Sequence, residues 1–368
     1  MKVAILGCRG IPAIIGGFET FAEEVASRLR ERGFDVTVYC ESNLYKKPRM
    51  KEYKGVKLIH IPSVKLKSIE AFLYDFLCLI HLLFNKKHNL LYMLGDTTAI
   101  LLILPKIFGQ KIVVNTDGIE WWRSKWPWYG KEFLKFNEWI ATKLTKYLFV
   151  DSREMGKYYK NRYDIDTTYI TNGTLLLQSE KKEIIDKFGL SPRRYFTVVC
   201  RLEPENSVDT IIRSFRRIEG DIKLAIAGGA SYKSKYIRYL RDLAKDDDRI
   251  LFLGVVTNRD LKTELRANCL AYIHGHQVGG TNPSLLEAMG AGNIILANRN
   301  SFNMEVAGET AIYWTSESEL TEKMSYAIGN YDSVKFLGEL AQKRASQFYN
   351  WDHIAELHDQ YFSRLLRK

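Results

Sequence analysis

The segment CLAYIHGHQVGGTNPSLLEAM, residues 269–289, carries the clearest structural pattern in the chain. It begins with a short apolar run, continues through two histidines and three glycines, and takes on helical spacing from Asn282. A buried parallel strand that turns directly into a helix has this pattern. The backbone N–H groups of residues 279–281 would lie at the N-terminus of that helix, where an anion is favoured. The Glu287 carboxylate, about one and a half turns further on, is suited to accept two ribose hydroxyls.

The same alternation of short apolar strands and helix-length segments runs along the chain in both directions. One series occupies each half, and the polar stretch 172–192 separates them. We therefore expect an α/β protein with two doubly wound, Rossmann-like domains facing a central cleft. The predicted domains are residues 1–172, residues 173–349, and a C-terminal helix, 350–368, that packs back on the first domain. Predicted strands begin at residues 1, 36, 56, 111 and 147, and at residues 195, 223, 250, 269 and 293.

The composition excludes several classes of protein. Of the 368 residues, 46% are hydrophobic and 26% are charged, which is typical of a soluble folded chain and not of a disordered one. The five cysteines are scattered without a CxxC pair, which argues against a zinc or disulfide framework. The net charge is +11, and residues 1–180 carry 27 basic and 19 acidic side chains. This excess favours contact with a polyanion or an anionic membrane.

Two apolar segments, 69–84 and 90–105, are the strongest membrane candidates. Each is shorter than the ~20 residues that a spanning helix needs, and each contains an acid, Asp75 or Asp96. The first apolar run of the chain is too short for a secretory signal. We therefore expect a cytoplasmic protein, peripheral at the inner face of the cell membrane.

Glycines follow the first predicted strand in GCRGIPAIIGGFET, residues 7–20. They let backbone N–H groups approach a phosphate at the start of the first helix, although a flexible turn has the same composition. The spacing is not G-x-G-x-x-G, and no G-x-x-x-x-G-K-[ST] string occurs in the chain. The sequence therefore argues against a nicotinamide enzyme and against a P-loop nucleotidase.

The segment NTDGIEWWRSKWPW, residues 115–128, follows another predicted strand. Asp117 comes directly after that strand, where the catalytic groups of α/β sheets lie. Four tryptophans alternate with Arg123 and Lys125, a composition that suits a lipid headgroup interface. Burial of the tryptophans in a core, and stacking on a base or sugar ring, both remain open.

Arg201 ends the first strand of the second predicted domain, in the string CRLEPEN. A guanidinium there would bind a diphosphate bidentately, and an ordinary surface arginine is the alternative. We predict no metal. His274 and His276 would point in opposite directions, and the acidic strings 164–166 and 246–248 lie in polar loops typical of solvated turns.

Together these residues resemble the GT-B glycosyltransferases, in particular the large retaining family numbered four. The first domain is similar to a narrower, rhamnosyltransferase-like branch that starts surface-polysaccharide repeat units. The motifs shared with the wider family are Asn172-Gly173, Arg201, Leu253-Gly254 and SLLEAM at 284–289. Those shared with the branch are GIPA at 10–13, GGFET at 16–20, DGIEW at 117–121 and GGTNPS at 279–284.

The resemblance implies a hexosyltransferase whose second domain binds a nucleotide sugar and whose first domain binds the acceptor. Glu287 would hold the donor ribose and Arg201 the donor diphosphate. Asp117 would orient a sugar hydroxyl or steady positive charge near the reacting carbon. These three are the expected catalytic residues. Further donor contacts are expected from Gly16, Gly17, Asn206, Leu253, Gly254, Gly280, Thr281 and Asn282.

Two positions depart from the family pattern. The wider family pairs two glutamates eight residues apart, and the first falls on Gly279 here; the family's lysine, five residues after the arginine, is replaced by Asn206. With one carboxylate and one cation fewer, a deoxysugar donor, dTDP-rhamnose, fits better than UDP-glucose or a UDP-N-acetylhexosamine. The transfer would retain the anomeric configuration. The same fold would also allow a sugar-nucleotide epimerase or a catalytically idle sugar-nucleotide-binding protein.

The basic, tryptophan-rich first domain favours an acceptor that is carried on a membrane lipid. A saccharide carried on a polyprenyl diphosphate, as in surface polysaccharide assembly, would bring the protein into peripheral contact with an anionic membrane. No nucleic acid is expected as a partner, since the basic residues are spread along the chain and form no recognition motif.

Overall fold

The computed structural model describes residues 1–14, 16–64, 69–85, 88–116, 118–229 and 235–367. The chain forms two compact units. The first consists of Met1–Trp122, Trp126–Asn172 and Trp351–Lys368, and the second of Arg123–Lys125 and Gly173–Asn350. Each unit is built on one mainly parallel β-sheet with helices between the strands, so the predicted α/β, doubly wound class is confirmed.

The first unit contains an eight-stranded sheet in the order β3-β4-β2-β1-β5-β6-β7-β8. Neighbouring strands are parallel, except that β3 and β4 are antiparallel. β5 is buried along its whole length, as apolar parallel strands are. The elements are β1 (Lys2–Leu6), α1 (Gly17–Glu31), β2 (Asp35–Glu41), β3 (Glu52–Tyr53), β4 (Val56–Ile61), α2 (Glu70–Asn85), β5 (Leu90–Leu94), α3 (Ile103–Ile107), β6 (Lys111–Thr116), α4 (Trp128–Leu144), β7 (Leu148–Val150), α5 (Arg153–Tyr163) and β8 (Thr168–Tyr169).

The second unit contains a six-stranded parallel sheet in the order β11-β10-β9-β12-β13-β14. Its central strands are almost wholly buried. The elements are α6 (Glu183–Asp186), β9 (Tyr195–Val199), α7 (Val208–Phe215), β10 (Lys223–Ala227), α8 (Lys235–Ala244), β11 (Ile250–Gly254), α9 (Arg259–Ala267), β12 (Ala271–His274), α10 (Pro283–Gly290), β13 (Ile295–Asn298), α11 (Ser301–Ala307), β14 (Ala311–Trp314), α12 (Glu317–Gly329), α13 (Tyr331–Val334) and α14 (Phe336–Phe348).

Both sheets change winding direction at one pair of strands. In the first sheet the chain moves from β1 outward through β2 and then returns to the other side of β1 at β5. In the second sheet β9 and β12 form the corresponding pair. The carboxyl ends of such a pair open into a crevice in which α/β proteins bind ligands. The loops after β1, β5, β9 and β12 are therefore the places to look for functional side chains.

The last helix, α15 (Trp351–Arg367), packs in the core of the first unit. The Phe362 ring lies 5.3 Å from that of Tyr92, and the Phe21 ring lies 5.6 Å from that of His358. His358 Nε2 is 3.0 Å from the Tyr92 hydroxyl, and burial lowers the pKa of His358 to about 4. The helix thus contributes aromatic rings and a neutral imidazole to the core that it shares with the N-terminal strands.

Most predicted strands agree with the structure to within one or two residues, and Val56–Ile61 agrees at both ends. The main error lies in the segment 90–105, which the sequence analysis treated as one apolar run. It is strand β5, a turn over residues 95–98, a 3₁₀ turn (Ala99–Leu102), and then the short helix α3. Across the part of the chain that the structure describes, no helix is both long enough and apolar enough to cross a membrane.

Candidate active site

Arg201 lies in the loop directly after β9, at the switch point of the second sheet. Its side chain is 54% exposed, and its one ion pair with a described residue is long, with Nε 3.9 Å from Glu203 Oε2. Asn206 is buried, and its side-chain amide donates a hydrogen bond of 2.7 Å to the Arg201 carbonyl oxygen. In this structure Asn206 therefore fixes the backbone that presents Arg201, while the guanidinium stays accessible to an anion.

The loop between β12 and α10 lies beside Arg201, on the other strand of the switch point. Asn282 is the N-cap of α10, and its side chain accepts a 3.0 Å hydrogen bond from the Ser284 backbone N–H. Pro283 has no backbone N–H donor. An anion at this helix end would therefore interact with the helix dipole and with the backbone N–H groups of the preceding loop. Gly280 and Thr281 in that loop are buried, and Gly279 has a φ of 128° that favours glycine.

Glu287 lies on the first turns of α10 and forms an ion pair that the sequence did not indicate. Its Oε2 is 2.5 Å from the guanidinium of Arg266, a residue of α9 that is 1% exposed. Glu287 itself remains 35% exposed at the side chain. A buried cation thus holds one carboxylate oxygen in place while the group stays reachable by a ligand, which is how a binding carboxylate is preorganised.

His274 and His276 flank Gly275 at the end of β12. Their rings stack at 4.2 Å with an interplanar angle of 10°, so the two side chains lie together and do not point apart as the sequence analysis assumed. Burial lowers the pKa of His274 to about 3. Burial, followed by the charges of His274, Arg201 and Arg123, lowers the pKa of His276 well below its usual range. Both imidazoles are therefore neutral at physiological pH.

Leu253 and Gly254 end β11, the edge strand of the second sheet. Leu253 is half-buried and Gly254 is exposed, with a φ of 69°. β11 is two strands away from β9 in the sheet order. Arg201, Asn206, Glu287 and residues 280–282 are therefore grouped at the β9–β12 switch point, whereas this pair lies along the same sheet edge at a distance from it.

Gly16 and Gly17 begin α1 in the first unit. Gly16 has a φ of 101°, and a Cβ atom there would lie 2.1 Å from Glu19 Oε2. The Glu19 carboxylate accepts a 2.8 Å hydrogen bond from the Arg9 backbone N–H, and Glu23 accepts one of 2.7 Å from that of Ala13. The two acids anchor the loop between β1 and α1, and glycine at position 16 leaves room for the first of them.

Asp117 lies outside the described residues. The aromatic segment that follows it is described, and its tryptophans are not core residues, since Trp122 is 41% and Trp128 78% exposed. The Trp121 indole donates a 3.1 Å hydrogen bond to Glu138, and the Lys135 ammonium lies 4.8 Å from the centre of the Trp121 ring. The alternative that these tryptophans fill a core is therefore wrong.

An exposed surface rich in aromatic and basic residues extends over α2, α3 and α4, which are neighbours around the turn Ala99–Leu102. We call it the aromatic–basic surface. A hydrogen bond of 2.9 Å from the Ile100 backbone N–H to the Asn137 side chain ties that turn to α4. The exposed apolar members are Phe84, Ile107, Phe108, Trp128, Tyr129, Phe133, Phe136 and Trp139, and the basic members are Lys106, Lys131, Lys135 and Lys143.

A group of polar residues at the switch point of the first sheet was not predicted from the sequence. Asp96 follows β5 and accepts a 3.1 Å hydrogen bond from the Tyr159 hydroxyl. Asp75 lies on α2 and accepts one of 2.8 Å from Thr98. Burial raises the pKa of Asp75 to about 6 and that of Asp96 to about 7, the latter with help from the charge of Glu138. The only sequence signal was an acid inside each of two apolar segments.

Among the described residues, no cluster of three or more histidine, cysteine, aspartate or glutamate side chains has a geometry that could hold a metal ion. The acidic string 164–166 is solvated. Asp164 and Asp166 are 91% and 90% exposed at the side chain, and both pair with Lys160.

Comparison with protein families divides the chain into two parts. Residues 1–175 match the family described as a domain of unknown function, DUF1972. Residues 180–344 match the family described as glycosyl transferases group 1. No curated protein matches the chain.

Several solved structures share the fold over nearly the whole chain. Sucrose-phosphate synthase from Thermosynechococcus elongatus is 13% identical, with a TM-score of 0.81 over 100% of this chain and 99% of that one. HepE from Anabaena, solved with UDP-glucose, is 16% identical, with a TM-score of 0.79 over 99% of this chain and 100% of that one. A glycosyltransferase from Rickettsia africae is 13% identical, with a TM-score of 0.76 over 100% and 98%.

The structure therefore has the GT-B fold, as the sequence analysis predicted. With the glycosyl transferases group 1 match over residues 180–344, it identifies the protein as a glycosyltransferase of the hexosyltransferase class.

Proposed function

We propose that the protein transfers L-rhamnose from dTDP-rhamnose to a saccharide carried on a polyprenyl diphosphate, with retention of configuration, during surface polysaccharide assembly. The observation that carries the proposal is the grouping of Arg201, the loop 279–282 and Glu287 at one switch point of the second sheet. An exposed guanidinium, loop amides and a helix dipole suit the donor diphosphate. The preorganised Glu287 carboxylate suits a hydroxyl of the donor pentose, which in dTDP is the 3′-hydroxyl alone.

The choice of rhamnose is supported by two positions. Gly279 offers no side chain where the resemblance expects a second carboxylate for the donor sugar. Asn206 is turned onto the Arg201 carbonyl, so it supplies no cation to the diphosphate. A sugar with fewer hydroxyls needs fewer such contacts. The second candidate is a UDP-sugar, because the similar HepE protein was solved in complex with UDP-glucose.

The mechanism that we propose is a front-face transfer. A donor phosphate oxygen accepts the proton of the acceptor hydroxyl, and that hydroxyl oxygen bonds to the anomeric carbon on the face from which the diphosphate departs. Arg201 and the loop 279–282 stabilise the negative charge on the leaving diphosphate. Asp117 is proposed to orient a sugar hydroxyl near the reacting carbon.

The lipid-linked acceptor is supported by the aromatic–basic surface. Half-exposed tryptophan and phenylalanine rings beside lysines are the composition of segments that lie in a lipid headgroup region. Phe84 and Trp128, the most exposed members, are 85% and 78% exposed. We therefore propose that the protein works at the cytoplasmic face of the membrane, held there by this surface. Flotation with vesicles containing anionic lipid, at low and high salt, tests this attachment directly.

The experiment that tests the function is nucleotide release from dTDP-rhamnose, UDP-glucose, UDP-N-acetylglucosamine and GDP-mannose, with and without a synthetic lipid-diphosphate sugar. We expect acceptor-dependent release from dTDP-rhamnose alone. Acceptor-dependent release from a UDP-sugar instead would establish the second candidate. Conversion of a donor without acceptor would indicate an epimerase, and silence from every donor, with folded protein, would indicate a catalytically idle nucleotide-sugar-binding protein.

A further inference from the structure

A cavity of about 210 Å³ lies in the first unit, at the switch point of its sheet. Its walls come from the loop after β1, the turn after β5, the start of α1 and the first turns of α2. This volume is below the ~300–1,000 Å³ of pockets that enclose drug-sized ligands, so the cavity suits a single ring. Its position is the one at which α/β sheets bind ligands.

The carboxyl groups around the cavity disfavour a phosphate as its ligand. Three carboxyl side chains line it, those of Asp75, Asp96 and Glu120, against one guanidinium, that of Arg9. The Arg9 charge is already paired with the Glu41 carboxylate. Because anionic groups repel anions, a diphosphate or phosphorylated sugar is disfavoured here. A neutral ligand that donates hydrogen bonds to carboxylates is favoured.

One side-chain hydroxyl in the cavity wall is available for a hydrogen bond with a ligand. Tyr74 lines it, is 2% exposed, and its hydroxyl makes no hydrogen bond with any described residue. The nearby Cys78 thiol is only a weak hydrogen-bonding group. Leaving a buried hydroxyl unpaired is destabilising, and a ligand atom in the cavity would offset that cost.

Ring surfaces and bare backbone complete the cavity. The Phe18 ring lies along one side, 3.5 Å from where a Cβ atom of Gly95 would be, so glycine leaves the turn after β5 open against that ring. The Arg9 guanidinium lies 5.8 Å from the centre of the Tyr74 ring. Aromatic faces, carboxyl oxygens and a free hydroxyl are the groups that contact the apolar and hydroxyl faces of a sugar ring.

Helix α2 connects this cavity to the aromatic–basic surface. Tyr74 and Asp75 line the cavity, whereas Leu73, Leu77 and Ile80 continue at helical spacing toward the exposed Phe84 and are only half-buried. The spacing places this stripe on one face of the helix. One helix therefore presents polar groups to the cavity and an apolar stripe to the surroundings.

We propose that the cavity is a subsite for one neutral, hydroxyl-rich sugar ring of the acceptor, which hydrogen-bonds to the Asp96 carboxyl and to the Tyr74 hydroxyl. The apolar stripe of α2 is the side on which the lipid of that acceptor lies. This inference rests on the proposed function in taking the acceptor to be a saccharide on a lipid. It does not depend on which nucleotide sugar is the donor.

The direct test uses sugar probes without any donor. Saturation-transfer NMR is recorded with the methyl glycosides of glucose, galactose, N-acetylglucosamine and rhamnose, and with glucose 6-phosphate, on wild type, Tyr74→Phe, Asp96→Asn and the control Asp166→Asn. At least one methyl glycoside should bind and glucose 6-phosphate should not. The bound signal should fall at least tenfold in Asp96→Asn and severalfold in Tyr74→Phe, and stay unchanged in the control.

Folding and donor binding are measured on the same variants. Tyr74→Phe removes a hydroxyl that has no partner among the described residues other than the weak Cys78 thiol, so its melting temperature should match or exceed that of wild type. The affinities for UDP and dTDP should be unchanged in every variant. Binding of glucose 6-phosphate as strong as that of the glycosides, glycoside signals that survive Asp96→Asn, or loss of nucleotide affinity in Asp96→Asn would each overturn the subsite.

Transfer assays then separate this inference from the proposed function. Where wild type transfers sugar, Asp96→Asn should raise the acceptor KM at least tenfold and leave the donor KM unchanged. A raised donor KM with an unchanged acceptor KM would assign the cavity to the donor and overturn the proposal. If wild type uses no donor, the proposed function fails, while the glycoside measurements still decide whether the cavity binds a neutral sugar.

Discussion

Replacing Asp96 by asparagine should make the protein more stable at alkaline pH while impairing its activity. In the folded protein, burial and the charges of Glu138 and Glu120 raise the pKa of Asp96 to about 7 from an ordinary value of 3.8, against the Tyr159 hydrogen bond, which lowers it. The folded state therefore holds this proton to a higher pH than the unfolded state does. The contribution of the carboxyl to stability is greatest below about pH 4 and is lost as the pH rises to about 7.

The size of the effect follows from the pKa difference. A shift of about three units corresponds to ~4 kcal/mol of unfolding free energy lost above pH 7, and to ~1–2 kcal/mol lost at pH 5. Asparagine cannot ionise, so the variant avoids this loss. It weakens the bond from Tyr159, at a cost of ~1 kcal/mol. We expect Asp96→Asn to be roughly 3 kcal/mol more stable than wild type at pH 8 and nearly equal to it at pH 5.

Urea unfolding followed by tryptophan fluorescence is the appropriate assay, because six of the seven tryptophans belong to the first unit and only Trp314 to the second. Wild type, Asp96→Asn and the exposed control Asp166→Asn are compared at pH 5 and pH 8. The control makes the same charge change on a side chain that is 90% exposed. A difference between Asp96→Asn and wild type that is the same at both pH values would refute the reasoning, since Asp96 would then be ionised throughout.

Three further outcomes are expected. Arg201→Ala should lower turnover by ~10²-fold or more in a donor-saturated assay, the scale of losing one preorganised charge contact, and full activity would contradict its role. Gly7→Ala should lower the urea midpoint well beyond Gly33→Ala, because both positions have positive φ but only Gly7 faces a close neighbour, the Leu94 carbonyl oxygen 2.1 Å from the added Cβ. Trp128→Glu should weaken flotation with anionic vesicles severalfold while the melting temperature is unchanged; undiminished binding would remove this residue from the membrane contact.

The strands of both units could be predicted because parallel strands are short apolar runs that end in glycine or polar residues. This pattern located β9 and β12 and, through the loops after them, Arg201 and Glu287. It failed at β5, since Leu90–Leu94 is followed closely by the apolar residues of α3, and periodicity alone does not separate a buried strand from a buried helix. Asp96 was therefore interpreted as an acid that interrupts an apolar run, and not as the residue after a central strand.

Contacts between side chains that are far apart in the chain could not be predicted from the sequence, for a different reason. The helical pattern of α9 shows that Arg266 is a charged residue near the end of a helix, and charged residues usually face solvent. Only the folded structure shows that Arg266 is buried and paired with Glu287 of α10. Likewise, the unpaired hydroxyl of Tyr74 depends on what α2 packs against, which no local pattern specifies.

The placement of α15 has a consequence for synthesis on the ribosome. The strands of the first unit emerge first, but the rings of Trp351 and Phe362, which complete their core, emerge only after the whole second unit. At ~5–20 residues per second, this delay is on the order of 10–40 s. During that time Phe21 and Tyr92 lack their last partners, so the nascent first unit exposes apolar surface that chaperones bind. A premature stop anywhere in the second unit would leave the first unit unfinished as well.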